Sequence, residues 1–302
     1  MRVLLTGASG FIGRRLIPVL VEAGHEVWGL SRDPASARFD PTIARTFPWQ
    51  PLSGPPSAEA LEGVDAVIHL AGESVRGRWN ARKKEAIRDT RVTGTANLVA
   101  GILAADPHPA TLISASAMGY YGLDTGDDLM TEDSPPGSDF LAVVGVGWEA
   151  ATEPAAAAGL RVVLLRTSLV LGDDGALPAL LPSAGLGLGG PIAGGSQWWS
   201  WVHQHDLTGM VLHALTNDSL SGPLNVTTPE AVRQHEFARV LGRVLGRPAF
   251  MPMPGFAIRL LIGEFADGII HGPRMSSAKA IDSGYTFQFP ELEPALRDLL
   301  DS

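Results

Sequence analysis

Short apolar runs recur along the first 175 residues, at 2–5, 26–30, 66–70, 111–114 and 161–165. Unbroken runs of this length, rather than alternating ones, suit strands of a parallel sheet buried on both faces. Helical spacing fills the gaps. Ile12, Leu16, Ile17, Leu20 and Val21 share one face, and Gly24 stands where a left-handed cap ends such a helix. Residues 89–103 and the alanine-rich stretch 147–158 predict two more helices. The alternation predicts an α/β fold, a Rossmann-type doubly wound parallel sheet over residues 1–175.

After Gly175 the texture changes to a Gly/Pro-rich stretch and a cluster of Trp198, Trp199 and Trp201. Residues 176–302 read as a smaller C-terminal substrate domain with helices at 206–215, 234–245, 255–265 and 291–300. One or two strands from 200–230 are expected to return to the main sheet. The tryptophans suit either a pocket that stacks a ring or a packed hinge. Residues 185–195 read as a mobile lid rather than a second phosphate loop, because no clear strand precedes them. His203 and His205 are two apart, but no third ligand accompanies them, so no metal is assigned.

Composition narrows the classes. The chain has no cysteine, which removes disulfides, thiolate nucleophiles and cysteine-ligated metals. A net charge of −9 argues against a general binder of nucleic acid or anionic membrane. The longest uncharged stretch, 175–202, is broken by Pro178, Pro182 and Pro191 and cannot be a continuous membrane helix. A strand-like run, Val3-Leu4-Leu5, starts two residues after Met1, so no targeting segment is expected there. The expectation is a cytoplasmic protein whose partner is a small molecule, not nucleic acid or membrane.

Thr6-Gly7-Ala8-Ser9-Gly10-Phe11-Ile12-Gly13 follows the first strand and opens the first helix. Gly7 suits the tight turn, Gly10 the close approach of a pyrophosphate, and Gly13 the packing of helix on strand. Free N–H groups at the helix start favour an anion. At the end of the second strand, Ser31 and Arg32 stand where an acidic residue would select NAD. A hydroxyl and a guanidinium suit the 2′-phosphate of NADP(H), with Asp33 keeping NAD as the alternative.

Further segments carry a resemblance. They are Asp65-Ala66-Val67-Ile68-His69-Leu70-Ala71-Gly72-Glu73, Gly94-Thr95-Ala96-Asn97-Leu98, Ser114-Ala115-Ser116 before Tyr121-Gly122, Leu165-Arg166, and Trp201-Val202-His203. With the three-glycine loop they resemble the extended short-chain dehydrogenase/reductase superfamily. Arg78-Trp79, Trp148-Glu149, the run Gly185-Leu186-Gly187-Leu188-Gly189-Gly190-Pro191 and Gln197-Trp198-Trp199-Ser200-Trp201 narrow it. These look like the atypical subgroup labelled sugar-nucleotide epimerases, which has its own short C-terminal domain. The resemblance implies an NADP-binding protein with Leu70, Ala71, Gly72, Glu73 and Arg78 beside the cofactor. A surface ion pair is the competing reading of Glu73 and Arg78.

One feature of that superfamily is missing. Most short-chain dehydrogenases place Tyr-x-x-x-Lys on a helix face, where the ammonium makes the phenol a usable acid and base. The three tyrosines here, Tyr120, Tyr121 and Tyr285, have no lysine four residues on. In the resembling register the two slots fall at Val143 and Gly147. Ser116 matches the superfamily's strand-end serine, and Ser116 with Tyr121 are the candidates for contacting a reacting oxygen, Tyr120 being the alternative. Two functions stay open: an NADP(H)-dependent oxidoreductase or epimerase acting on a small molecule, and an NADP(H)-binding redox sensor or scaffold with little turnover.

Overall fold

The computed structural model describes residues 1–34, 40–123 and 125–301. Seven parallel strands form the main sheet: β1 (Arg2–Thr6), β2 (Glu26–Ser31), β3 (Arg45–Pro48), β4 (Ala66–His69), β5 (Thr111–Ala117), β6 (Arg161–Thr167) and β7 (Gly222–Val226). Their order is β7-β6-β5-β4-β1-β2-β3. Strand order reverses between β1 and β4, the switch point outside which open α/β sheets bind ligands. The central strands are apolar on both faces because both are covered, and Val3, Leu4 and Leu5 are wholly buried.

Helix α1 (Phe11–Glu22) presents the predicted Leu16, Ile17 and Leu20 to one sheet face, beside the helix α4 (Gln204–Thr216). On the other face lie α2 (Ala81–Ala104) and α3 (Phe140–Ala150). Helix α2 starts eight residues before the predicted Asp89, because the Asn80 side chain caps it by accepting from Lys83 N at 2.8 Å. The helix expected over 147–158 lies instead at α3 and a short turn, Glu153–Ala157. Asp139 caps α3 through Leu141 N and Ala142 N, and Pro154 opens the second piece, where a missing N–H costs nothing.

The last third packs a separate core around Trp199, Trp201, Phe237, Leu241 and Leu296. Trp201 is fully buried and Trp199 meets Phe237 edge-on at 5.0 Å, so these two tryptophans are packing residues. Trp198 is only partly buried, with the Arg233 guanidinium 3.8 Å from its ring centroid. His203 caps α4 by accepting from His205 N. Its Nε2 faces Asp298 at 3.3 Å. Among the described residues no helix is long and apolar enough to cross a membrane.

Candidate functional site

The chain turns sharply after β1. Gly7 has φ +74°, a conformation glycine adopts without steric cost, and any Cβ there would stand 2.9 Å from the Leu70 carbonyl carbon. Gly10 N then donates to Gly7 O at 2.9 Å, and α1 starts at Phe11 with no side-chain cap and no acidic residue in its first turn. The helix start is therefore left with unpaired N–H groups and positive potential. A Cβ on Gly13 would overlap Gly7 O, so that glycine keeps the loop against the helix.

A cavity of about 500 Å³ opens from this loop along the carboxyl ends of β1, β2 and β4. Of the residues singled out by sequence, Gly7, Ser9 and Gly10 line it from the loop, and Ser31 and Arg32 from the end of β2. Leu70, Ala71, Gly72 and Glu73 form the opposite wall. Thr6 lies behind this wall. It is fully buried, and its Oγ1 accepts from Leu70 N and Ala71 N, both at 3.1 Å. The Thr6 hydroxyl hydrogen then goes to His69 Nδ1 at 2.7 Å, which directs His69 Nε2–H to Thr95 Oγ1 at 3.0 Å. Burial, with the Arg91 charge adding to it, lowers the His69 pKa from 6.5 to about 4, so the ring is neutral. Phe11 lies under the Arg15 guanidinium, and Ile12 and Gly13 lie outside the cavity lining.

The cavity also has a lip that sequence reading missed. Trp49, Gln50, Pro51, Leu52 and Ser53 follow β3, a strand of four residues ending in Pro48 that carries no clear apolar run. Gln50 Nε2 donates to Arg32 O at 3.1 Å, and Asn97 Nδ2 holds Pro51 O at 2.7 Å. Behind Gly72 lies Arg91, which donates to Glu73 O at 2.9 Å and Ile87 O at 3.1 Å. Burial lowers its pKa to about 10 against the opposing Glu73 charge, leaving a cation behind the wall at neutral pH. The Glu73 carboxylate pairs with Lys83 at 2.5 Å. Arg78 is not part of the cavity lining and donates to Leu260 O at 3.0 Å.

Beyond the wall, the end of β5 holds a buried polar network. Ser116 is 4% exposed and its Oγ donates to Glu149 Oε1 at 2.7 Å. Arg166 grips the same carboxylate twice, Nε at 2.9 Å and Nη2 at 2.8 Å. The Tyr121 hydroxyl donates to Asn225 Oδ1 at 2.6 Å and accepts from Arg166 Nη1 at 3.1 Å. Burial pushes the Tyr121 phenol up to about 12, although Arg166 works against it. Burial weakens the Arg166 cation, but the Glu149 and Tyr121 hydrogen bonds outweigh it and hold the guanidinium charged. Ala117, not Ser116, is the exposed residue at the strand end. Tyr120 is half-buried with its ring 3.5 Å from the Arg166 guanidinium carbon. On α3, Val143 is 61% exposed, while a Cβ on Gly147 would press on Val92.

A parallel sheet in this order, with a glycine loop and cleft at its switch point, defines a Rossmann-type protein of the extended short-chain dehydrogenase/reductase kind. Residues 3–226 match the NAD dependent epimerase/dehydratase family, and the chain belongs to that family. Residues 253–299 match a domain of unknown function, DUF1731. The chain is 37% identical to the Arabidopsis thaliana "Epimerase family protein SDR39U1 homolog, chloroplastic", covering 99% of this chain and 87% of the relative. A crystal structure of human epimerase family protein SDR39U1 (isoform 2) with NADPH superposes with TM-score 0.86 at 33% identity, covering 100% of this chain and 99% of that one. A nucleoside-diphosphate sugar epimerase from Corynebacterium glutamicum matches at TM-score 0.80 and 34% identity, covering 99% of this chain and 58% of that one.

Proposed function

We propose that this chain is an NADP(H)-binding member of the family, with the 2′-phosphate held by Ser31 and Arg32. The observation that carries the reading is the end of β2. Ser31 Oγ accepts from Asp33 N at 3.2 Å, which leaves its hydroxyl hydrogen for an outside acceptor. Arg32 is exposed, and no described residue pairs with its guanidinium. The rest of the cavity suits a dinucleotide: an uncapped helix start for a pyrophosphate, glycine where a side chain would fill the cradle, and the Arg91 charge behind the wall. The human relative's NADPH agrees with this choice. When bound, the nicotinamide ring supplies hydride exchange.

The first functional reading is an oxidoreductase or epimerase-like activity on a small molecule at the carboxyl end of β5. Its own residues set a limit on that chemistry. Val143 and Gly147 offer no acid or base, and the hydroxyl hydrogens of Ser116 and Tyr121 are both already donated inside the protein. To serve a substrate oxygen, Ser116 would have to leave a carboxylate, a hydrogen bond worth about 1.5–3 kcal/mol. This engagement favours a second reading, cofactor binding with little turnover. Screening carbonyl compounds with NADPH separates the two readings. Turnover that falls more than tenfold in both Ser116→Ala and Tyr121→Phe supports the first, and tight NADPH binding without turnover supports the second.

The cofactor assignment has its own test. The 31P resonance of the bound 2′-phosphate should stay dianionic well below the ordinary pKa near 6 in the wild type. It should return towards that value in Arg32→Ala. An unperturbed titration in both proteins would remove Arg32 from the phosphate.

A further inference from the structure

Two loops meet beside the phosphate loop. One leaves β4 past Gly72 and carries Arg76; the other, residues 172–175, follows the strand Leu169–Leu171. Arg76 Nη2 donates to Asp174 O at 2.6 Å and to Gly175 O at 2.5 Å, and its Nη1 stands 3.7 Å from Asp174 Oδ1. From the helix side, Arg14 Nη2 lies 3.2 Å from Asp174 Oδ2, and Arg15 pairs with Asp173. Arg15 also donates to Gln204 Oε1 at 2.8 Å. Gly172 is pressed on the first turn of α1, where any Cβ would stand 2.7 Å from Phe11 Cζ.

The two anchors of this bridge are the two lips of the cleft, α1 on one side and the Gly72–Glu73 wall on the other. Three guanidiniums against two carboxylates keep the bridge cationic, which suits it to lie beside phosphates. The open cavity runs from Ser31, Arg32 and the Trp49 lip to Gly10, and ends at Glu73 and Thr90. Neither Phe11, Arg76 nor Asp174 lines it, and neither do Ala117 and Val143 at the far end. The cavity is open over Ser31 and Arg32, and the bridge joins the two lips where that cavity stops.

We infer that the Arg76 bridge to residues 174 and 175 is a strap that must part for the nicotinamide half of NADP(H) to enter or leave, while the adenosine half docks unhindered. The inference rests on the cofactor reading above. Arg14, Arg76 and Asp174 are about half exposed, and ion pairs in that setting are weak. The strap opens often enough to pass ligand and slows exchange without blocking it.

Stopped-flow mixing with NADPH and with adenosine 2′,5′-bisphosphate, read by tryptophan quenching at Trp49, tests the strap. In Arg76→Ala the NADPH association and dissociation rates should both rise about tenfold, with Kd within threefold of wild type, while adenosine 2′,5′-bisphosphate associates at the wild-type rate. NADPH rates unchanged in Arg76→Ala would overturn the strap and leave the cofactor reading standing. Faster dissociation alone, with weaker binding, would make Arg76 a ligand of the dinucleotide and overturn it equally. Binding of neither ligand to the wild type would refute the cofactor reading and the strap with it.

Discussion

Glu149 is where a single substitution should cost most outside the apolar cores. Its carboxylate accepts three hydrogen bonds, from Ser116 and twice from Arg166. Arg166 is 2% exposed, and its remaining partners are all neutral: the Tyr121 hydroxyl, the Glu132 carbonyl at 2.9 Å and the Tyr120 ring. Glu149→Gln keeps the shape but removes the one carboxylate facing that guanidinium in these contacts. Breaking a buried pair by removing one partner costs about 3–5 kcal/mol, because a buried charge is left uncompensated. At about 2–4 °C per kcal/mol for a chain of this size class, Tm should fall by roughly 6–20 °C. Equilibrium unfolding in urea at pH 7 reads the loss directly. Arg166→Met should cost a similar amount, whereas Glu149→Leu with Arg166→Met should be no worse than either single change, because the double variant buries no lone charge. A Glu149→Gln loss below about 1 kcal/mol, or strictly additive single losses, would refute the claim that this corner is held by a coupled charge pair.

Two further outcomes follow from the geometry. Gly10 has an ordinary φ of −77°, and an added Cβ would meet only Gly7 O at 3.1 Å; Gly10→Val should fold and lose NADPH, whereas Gly13→Ala, overlapping backbone, should lose about 1–3 kcal/mol of stability as well. Thermal melts with an NADPH titration on each variant check both. His69 is neutral in the fold, with its pKa lowered from 6.5 to about 4, so its contribution is present above pH 6.5 and is lost as pH falls towards 4, by about 3 kcal/mol in all. Urea midpoints of wild type and His69→Gln at pH 7 and pH 4.5 should differ accordingly, with the variant less sensitive to the acid.

Local chemistry was legible in the sequence and long-range placement was not. All five apolar runs are strands of the sheet, and the turn from β1 into α1 is readable because strand, glycines and helix are neighbours in the chain. β3 escaped because Arg45-Thr46-Phe47-Pro48 has one buried apolar residue and ends in proline. The Trp49 lip that follows it escaped for the same reason. Pro18 inside α1 would argue against a helix there, yet packing of Leu16, Ile17 and Leu20 on the sheet holds it. Ser116 illustrates the limit of motif reading. Its place at the carboxyl end of a strand is as the sequence suggests, but side chains alternate along a strand, and the exposed face there belongs to Ala117. The Ser116–Glu149–Arg166–Tyr121–Asn225 network joins residues up to 109 apart in the chain, so no spacing rule exposes it.

The most direct measurement is the ratio of NADPH to NADH affinity by equilibrium titration, in wild type and in Arg32→Ala. With a guanidinium and a hydroxyl on the 2′-phosphate, wild type should prefer NADPH by at least about tenfold, the scale of one charge-assisted hydrogen bond. Arg32→Ala should lose most of that preference by weakening NADPH alone. Equal affinity for the two nucleotides in the wild type, or a preference for NADH, would contradict the assignment of Ser31 and Arg32 and the function built on it.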